Sequence, residues 1–209
     1  TMGMAASQAR LLSITARMTD VEYKSQQISN TKIRLADESE EVAEAYTKAL
    51  NKQKLTFTSY SKEGPIETKP LNPTNLSEAG LTLYSRATNK PLTADEIKAM
   101  KDVTSSVFYE MIQSGQFYLV SNTETDDNGK PKEVSVDGTN SLAIASDTTD
   151  LAKAEAEYNA KTAKINKKEK LLDNDLKALD TEHNALKTEY DSVKSLISDN
   201  VSKSFNLFS

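Results

Sequence analysis

Four residues near the middle of the chain have the spacing of a calcium loop. Glu124, Asp126, Asn128 and Gly129 stand where an EF-hand loop has its first, third, fifth and sixth positions. Such a loop closes on a bidentate Glu at its twelfth position. Here that position is Ser135, and Pro131 lies inside the loop. Asp127-Asn128-Gly129-Lys130 therefore reads as a hairpin turn, because Asn-Gly accepts positive φ. The single His, His183, has Leu179 and Lys187 four residues to either side. It reads as a polar residue in a helix seam rather than a base or metal ligand. The pairs Asp173/Asp175 and Glu40/Glu41 fall on polar helix faces. There is no G-x-S-x-G, H-E-x-x-H or C-x-x-C pattern, and six Gly leave little material for a phosphate-cradling loop. The expectation is a non-enzymatic protein with no catalytic residues, no metal site and no cofactor. An enzyme housed in the middle region would need a pocket around Tyr84, Tyr109 and Phe117 with titratable neighbours.

Composition points the same way. The 209 residues are 37% hydrophobic, below the usual globular range of roughly 45–50%, so an elongated body with a thin core is expected. The net charge of −5 does not favour nucleic acid as a partner. With no Cys, neither disulfides nor thiolate metal sites can form. No apolar run is long enough to predict a membrane span. The segment Thr1 to Arg17 lacks the apolar centre of a secretory signal.

The elements that dominate the chain are its two ends. From Leu151 onward an apolar or aromatic residue returns every seventh position: Leu151, Tyr158, Ile165, Leu172, Leu179, Leu186, Val193. This period keeps one helix seam facing a partner helix. The second seam positions are Glu155, Thr162, Glu169, Leu176, His183, Tyr190 and Ile197, polar first and apolar later. The first segment mirrors this with Ile14, Val21, Ile28, Leu35, Val42 and Ala49, and no Pro or Gly interrupts it between Met4 and Tyr60. One helix is predicted from about Ala5 to Gln53, roughly 75 Å long. The simplest arrangement is an antiparallel pair. Ser25, Lys32 and Ser39 thin the first seam, which argues for a further partner.

Between the helices the pattern changes. Lys54 to Tyr60 alternates as a strand. The Pro-rich span Gly64 to Gly80 reads as loop with a short helix at Leu76 to Ala79, and Leu81 to Ser85 reads as a strand. Thr93 and Glu96 fit a capping box opening a helix from Ala94 to about Lys101. A second helix is predicted from Thr104 to Gln113, ended by Gly115. Strands follow at Gln116 to Asn122 and Glu133 to Val136, then the apolar piece Leu142 to Ala145. Asp147 or Asp150 would cap the last helix. The fold class is thus α+β: long antiparallel N- and C-terminal coiled-coil helices with a small inserted α+β domain. The domains are residues 1–54, 55–147 and 148–209.

Both ends carry apolar residues where fraying termini are normally polar. Leu11, Leu12, Ile14 and Met18 would lie beside Val193, Ile197, Val201, Phe205, Leu207 and Phe208 in an antiparallel pair. These ten residues are the candidate assembly interface.

The layout resembles bacterial axial proteins of the flagellin and type III secretion kind. The resemblance rests on the heptad faces Ile14 to Ala49 and Leu151 to Val193, the apolar ends and the composition. It implies terminal helices packed in a filament core, a middle domain facing outward, and export without a cleaved signal. The implied partners are other copies of the chain and a secretion apparatus or chaperone. The stretches MAASQAR and LDTEHNALKTEYDSVKSLI are also similar to an uncharacterised protein family of gut-type bacteria, which implies no activity. The expected function is a self-assembling structural subunit of a surface filament or sheath. The alternative is a soluble, cytoplasmic coiled-coil adaptor or secretion chaperone that binds a partner helix.

Overall fold

A computed structural model describes residues 2–59, 64–136 and 142–207. The protein is α+β. A long helix α1 (Met2–Leu50) opens it and a long helix α4 (Leu151–Asn206) closes it. Between them lie β1 (Gln53–Ser59), β2 (Glu67–Pro70), β3 (Leu81–Ser85), β4 (Lys90–Pro91), α2 (Ala94–Ala99), α3 (Ser105–Gln113), β5 (Phe117–Thr125), β6 (Pro131–Glu133) and β7 (Leu142–Ser146). The chain divides into two compact units. A helical unit takes the residues up to Glu44 and those from Ala156 on; a β-rich unit takes Ala45–Glu155. The last turn or so of α1 and the first of α4 thus belong to the β-rich unit, outside the predicted limits 55–147.

In the helical unit every buried apolar residue falls on the sevenfold repeat. They are Ile14, Val21 and Leu35 on α1, and Ile165, Leu186 and Val193 on α4. Ile14, Val21, Leu186 and Val193 form one cluster, flanked by Leu11, Met18, Leu179, Tyr190 and Ile197. Ion pairs fix the direction. Arg10 meets Glu189, Arg17 meets Glu182, Lys32 meets Asp173, and Glu38 meets Lys168. As the number rises on α1 its partner's falls on α4, so the helices run antiparallel. Thr and Ser inside the helices turn their hydroxyls back to the carbonyl four residues earlier, as Thr15 does to Leu11 (2.9 Å) and Thr188 to Asn184 (3.0 Å).

The β-rich unit holds two antiparallel sheets, one ordered β2-β1-β7 and the other β4-β3-β5-β6. β1 sits centrally in its sheet, with Thr56 opposite both Pro70 and Ala143. Leu55, Phe57, Leu71, Leu83, Phe108 and Leu119 are closed off from solvent in a single core. The helix α3 supplies Phe108 and Tyr109 to it and packs against β1 and β5. Thr93 and Glu96 make both bonds of the capping box at α2. The Thr93 N–H and hydroxyl hold the Glu96 carboxyl below its ordinary pKa.

The span predicted as loop contains a strand. β2 pairs with β1 over Thr56 to Ser59, through backbone bonds that Glu-Thr-Lys-Pro does not advertise. Leu76 to Ala79 is a series of turns rather than a helix, closed by bonds such as Ala79 N–H to Leu76 C=O. Leu76 is nevertheless buried. Tyr60, at the end of the first predicted strand, lies outside the described residues.

Candidate interaction surfaces

The ten candidate assembly residues separate by the side of the helix they occupy. Ile14 and Val193 are 3% and 4% exposed, inside the seam of the pair. Leu11, Met18 and Ile197 are half-buried against the same cluster. Leu12 is 74% exposed, Phe205 75% and Leu207 83%, with Val201 also exposed. Phe208 lies outside the described residues.

The split has a geometric cause. Val193, Ile197, Val201 and Phe205 are four residues apart, and four residues on an α-helix advance the side chain by about 400°. Each step moves about 40° off the seam, so the series starts buried and ends in solvent. A seam holds its direction only by alternating steps of three and four.

A second set of exposed apolar residues lies on α1. Leu12, Tyr23 and Ile33 are each two residues from a seam residue (Ile14, Val21 and Leu35) and are exposed. Two residues correspond to about 200° of rotation, so these side chains point away from the seam. On α4, Leu171 and Leu196 are exposed beside Leu172 and Ile197. A shallow groove of about 440 Å³ runs between Leu35 and Arg34 on α1 and Leu171 and Leu172 on α4, with Glu38 and Lys168 at its rim.

The polar seam positions are not simply gaps. Lys32 is held by Asp173, whose carboxylate raises the lysine's pKa. His183 places Nε2 3.1 Å from Glu22 Oε1. Polar contacts of this kind fix register more than they stabilise.

In the β-rich unit the EF-hand spacing falls on a hairpin. Asp126 Oδ1 accepts from the N–H groups of Asn128 (2.9 Å) and Lys130 (2.8 Å), and Gly129 has φ +75°. Glu124 pairs with Lys132 across the strands. These carboxylates are engaged by the turn and its neighbour strand. Among the described residues no cluster of three or more potential metal-binding side chains occurs.

Tyr109 and Phe117 line a cavity of about 280 Å³ together with Tyr118, Ile112, Gln113 and Val134. Tyr84 does not line it but packs on Tyr118, ring centres 5.4 Å apart. Arg86 lies 4.2 Å over the Tyr118 ring and grips Glu133 at 2.7 and 3.3 Å. The Tyr109 hydroxyl accepts from Gln113 Nε2 at 2.8 Å. The charged side chains that line the cavity, Arg86 and Glu133, are thus bonded to each other. No helix among the described residues is long and apolar enough to cross a membrane.

Asp147, at the β7–α4 junction, was legible only as a cap. It is buried and accepts from the Thr149 hydroxyl (2.6 Å) and N–H (3.1 Å). The Thr149 hydroxyl bond, reinforced by the Ser106 hydroxyl and Lys54, holds its carboxyl below the ordinary value despite burial.

No protein-family model, no curated protein and no solved structure matches this chain.

Proposed function

We propose that the protein is a non-enzymatic, self-assembling structural subunit, in which the helical unit carries assembly and the β-rich unit is displayed. The observation that carries this reading is the set of bulky apolar side chains left outside the seam: Leu12, Tyr23 and Ile33 on α1, and Val201, Phe205 and Leu207 on α4. Burying each fully is worth about 1.5–3 kcal/mol, enough in combination to drive association of further copies. The reading includes a filament or sheath at the cell surface, after the manner of flagellin-like axial proteins. A secretion apparatus or its chaperone would be a transient partner. The test is the double variant Phe205→Ala/Leu207→Ala. Sedimentation should show assemblies of the wild-type protein that the variant cannot form, while its β-rich unit unfolds at the wild-type midpoint. Assemblies unchanged in the variant would sink the proposal.

The second reading is an adaptor or chaperone that accepts a partner helix. The groove beside Leu35, Leu171 and Leu172 favours it, since a third helix could lay an apolar face there alongside the Glu38–Lys168 ion pair. It predicts a protein that remains a monomer or small closed oligomer at every concentration.

A further inference from the structure

Four strands form the outer edges of the two sheets: β2 and β7 of one, β4 and β6 of the other. An open edge invites pairing with another chain, and proteins guard against it with Pro and charged residues. Three of the edges are guarded in this way. β2 reads Glu-Thr-Lys-Pro, β4 reads Lys-Pro and β6 reads Pro-Lys-Glu. β7 reads Leu-Ala-Ile-Ala-Ser, with no charge and no Pro. Its outer edge pairs with no strand among the described residues, and Ile144 is 41% exposed although it lies opposite buried Leu55.

The backbone bonds show which groups this edge offers. Asp147 N–H donates to Lys52 C=O at 2.8 Å, and the Thr56 hydroxyl donates to Ala143 C=O at 3.2 Å. Residues 143, 145 and 147 therefore face β1. By the alternation of an antiparallel ladder, Leu142, Ile144 and Ser146 direct their N–H and C=O groups outward.

We infer that β7 is a contact between copies of this chain, formed by antiparallel pairing about a two-fold axis through Ile144. The strand is its own complement. Ile144 meets Ile144 of the second copy, Leu142 meets Ser146, and Ala143 meets Ala145. The outward groups of Leu142, Ile144 and Ser146 are the ones this register requires, giving about six backbone hydrogen bonds. No like charges meet, whereas the same axis on β6 would set Lys132 against its own copy. The side chains of Leu142 and Ile144 share the face of Phe57 and Leu55, so the pairing would extend one apolar face across both sheets. Five paired residues bury less than the roughly 1,200 Å² of a stand-alone dimer. The contact is thus a lateral one within an assembly and rests on the self-assembling reading above.

The chain has no Cys, so one introduced cysteine reports on this geometry. Directly opposed residues in a hydrogen-bonded pair lie about 5.5 Å apart at Cα, within disulfide reach. Under mild oxidation of the full chain, Ile144→Cys should form covalent dimers at least about tenfold faster than Ile66→Cys, an exposed control in the same unit. Adding Ser146→Pro removes an outward N–H without touching a bond to β1, and should reduce the Ile144→Cys rate to the control's. Equal rates at positions 144 and 66, or no effect of Ser146→Pro, would overturn the inference. Electron microscopy of the same samples separates the two proposals. Fibres without cross-linking at 144 reject the strand contact alone. Cross-linking without fibres keeps the strand contact and rejects the filament.

Discussion

In the β-rich unit, Phe57, Phe108, Leu55, Leu71, Leu83 and Leu119 are shut away together from two sheets, a helix and a series of turns. In the helical unit six buried residues among those described are strung along two long helices, at intervals of seven residues or multiples of seven, with polar groups between them. The first arrangement closes a core in three dimensions. The second closes only a stripe and leaves the opposite sides of both helices in solvent, where Leu12, Tyr23 and Phe205 remain exposed. Two helices have no inside beyond their line of contact, so apolar residues off that line stay exposed to solvent. One chain thus contains a unit with a closed core and a unit that leaves bulky apolar side chains outside its seam.

The sharpest way to break this contrast is to empty each core. Phe108→Ala should cost about 3–5 kcal/mol, because its site is walled in on all sides and cannot collapse. Ile14→Ala should cost less, about 2 kcal/mol, since a seam between two helices can close up or admit water. Denaturant unfolding followed separately by far-UV dichroism and tyrosine fluorescence measures both. A larger loss for Ile14→Ala would invert the comparison.

The buried carboxylate of Asp147, just after β7, comes next. Asp147→Ala should cost about 1–2 kcal/mol through the loss of its bonds from Thr149 and Ser106. The folded state favours the carboxylate, because the Thr149 bond holds its pKa below the ordinary 3.8. Its contribution is therefore complete above that value and is lost as pH falls through the folded pKa. Urea midpoints of wild type and Asp147→Asn should differ near neutrality and converge under strong acid. A difference that grows with acidity would contradict the assignment.

The smallest effects belong to the cross-helix ion pairs. Arg10 and Arg17 meet Glu189 and Glu182 in solvent, and exposed pairs are typically worth about 0–1 kcal/mol. Arg10→Ala/Arg17→Ala should leave the unfolding midpoint almost unmoved in high salt. A large salt-independent loss would mean that charge rather than the apolar stripe holds the helices.

The helical unit was the more legible part of the sequence. Its sevenfold repeat names all six buried residues, and its polar members leave the direction of pairing to Lys32, Asp173 and their like. The capping box at Thr93 and the Asn-Gly turn were also readable, because each depends on neighbours in the chain. β2 and β4 were not, since Glu-Thr-Lys-Pro and Lys-Pro have neither alternation nor apolar content and enter their sheets by backbone bonds alone. The pairing of β1 with β7 links segments far apart in sequence and leaves no local mark. Among the candidate residues, the shared apolar character of Val193 to Phe205 hid their rotation off the seam. Spacing of four looks helical, yet only the first members face the partner helix.

The most direct measurement is electron microscopy of the purified full-length protein over a wide range of concentrations. The account predicts ordered fibres or sheets that grow with concentration and are absent from Phe205→Ala/Leu207→Ala. Uniform small particles at every concentration would contradict it, and would direct attention to the groove beside Leu35 and Leu171 as the seat of a partner helix.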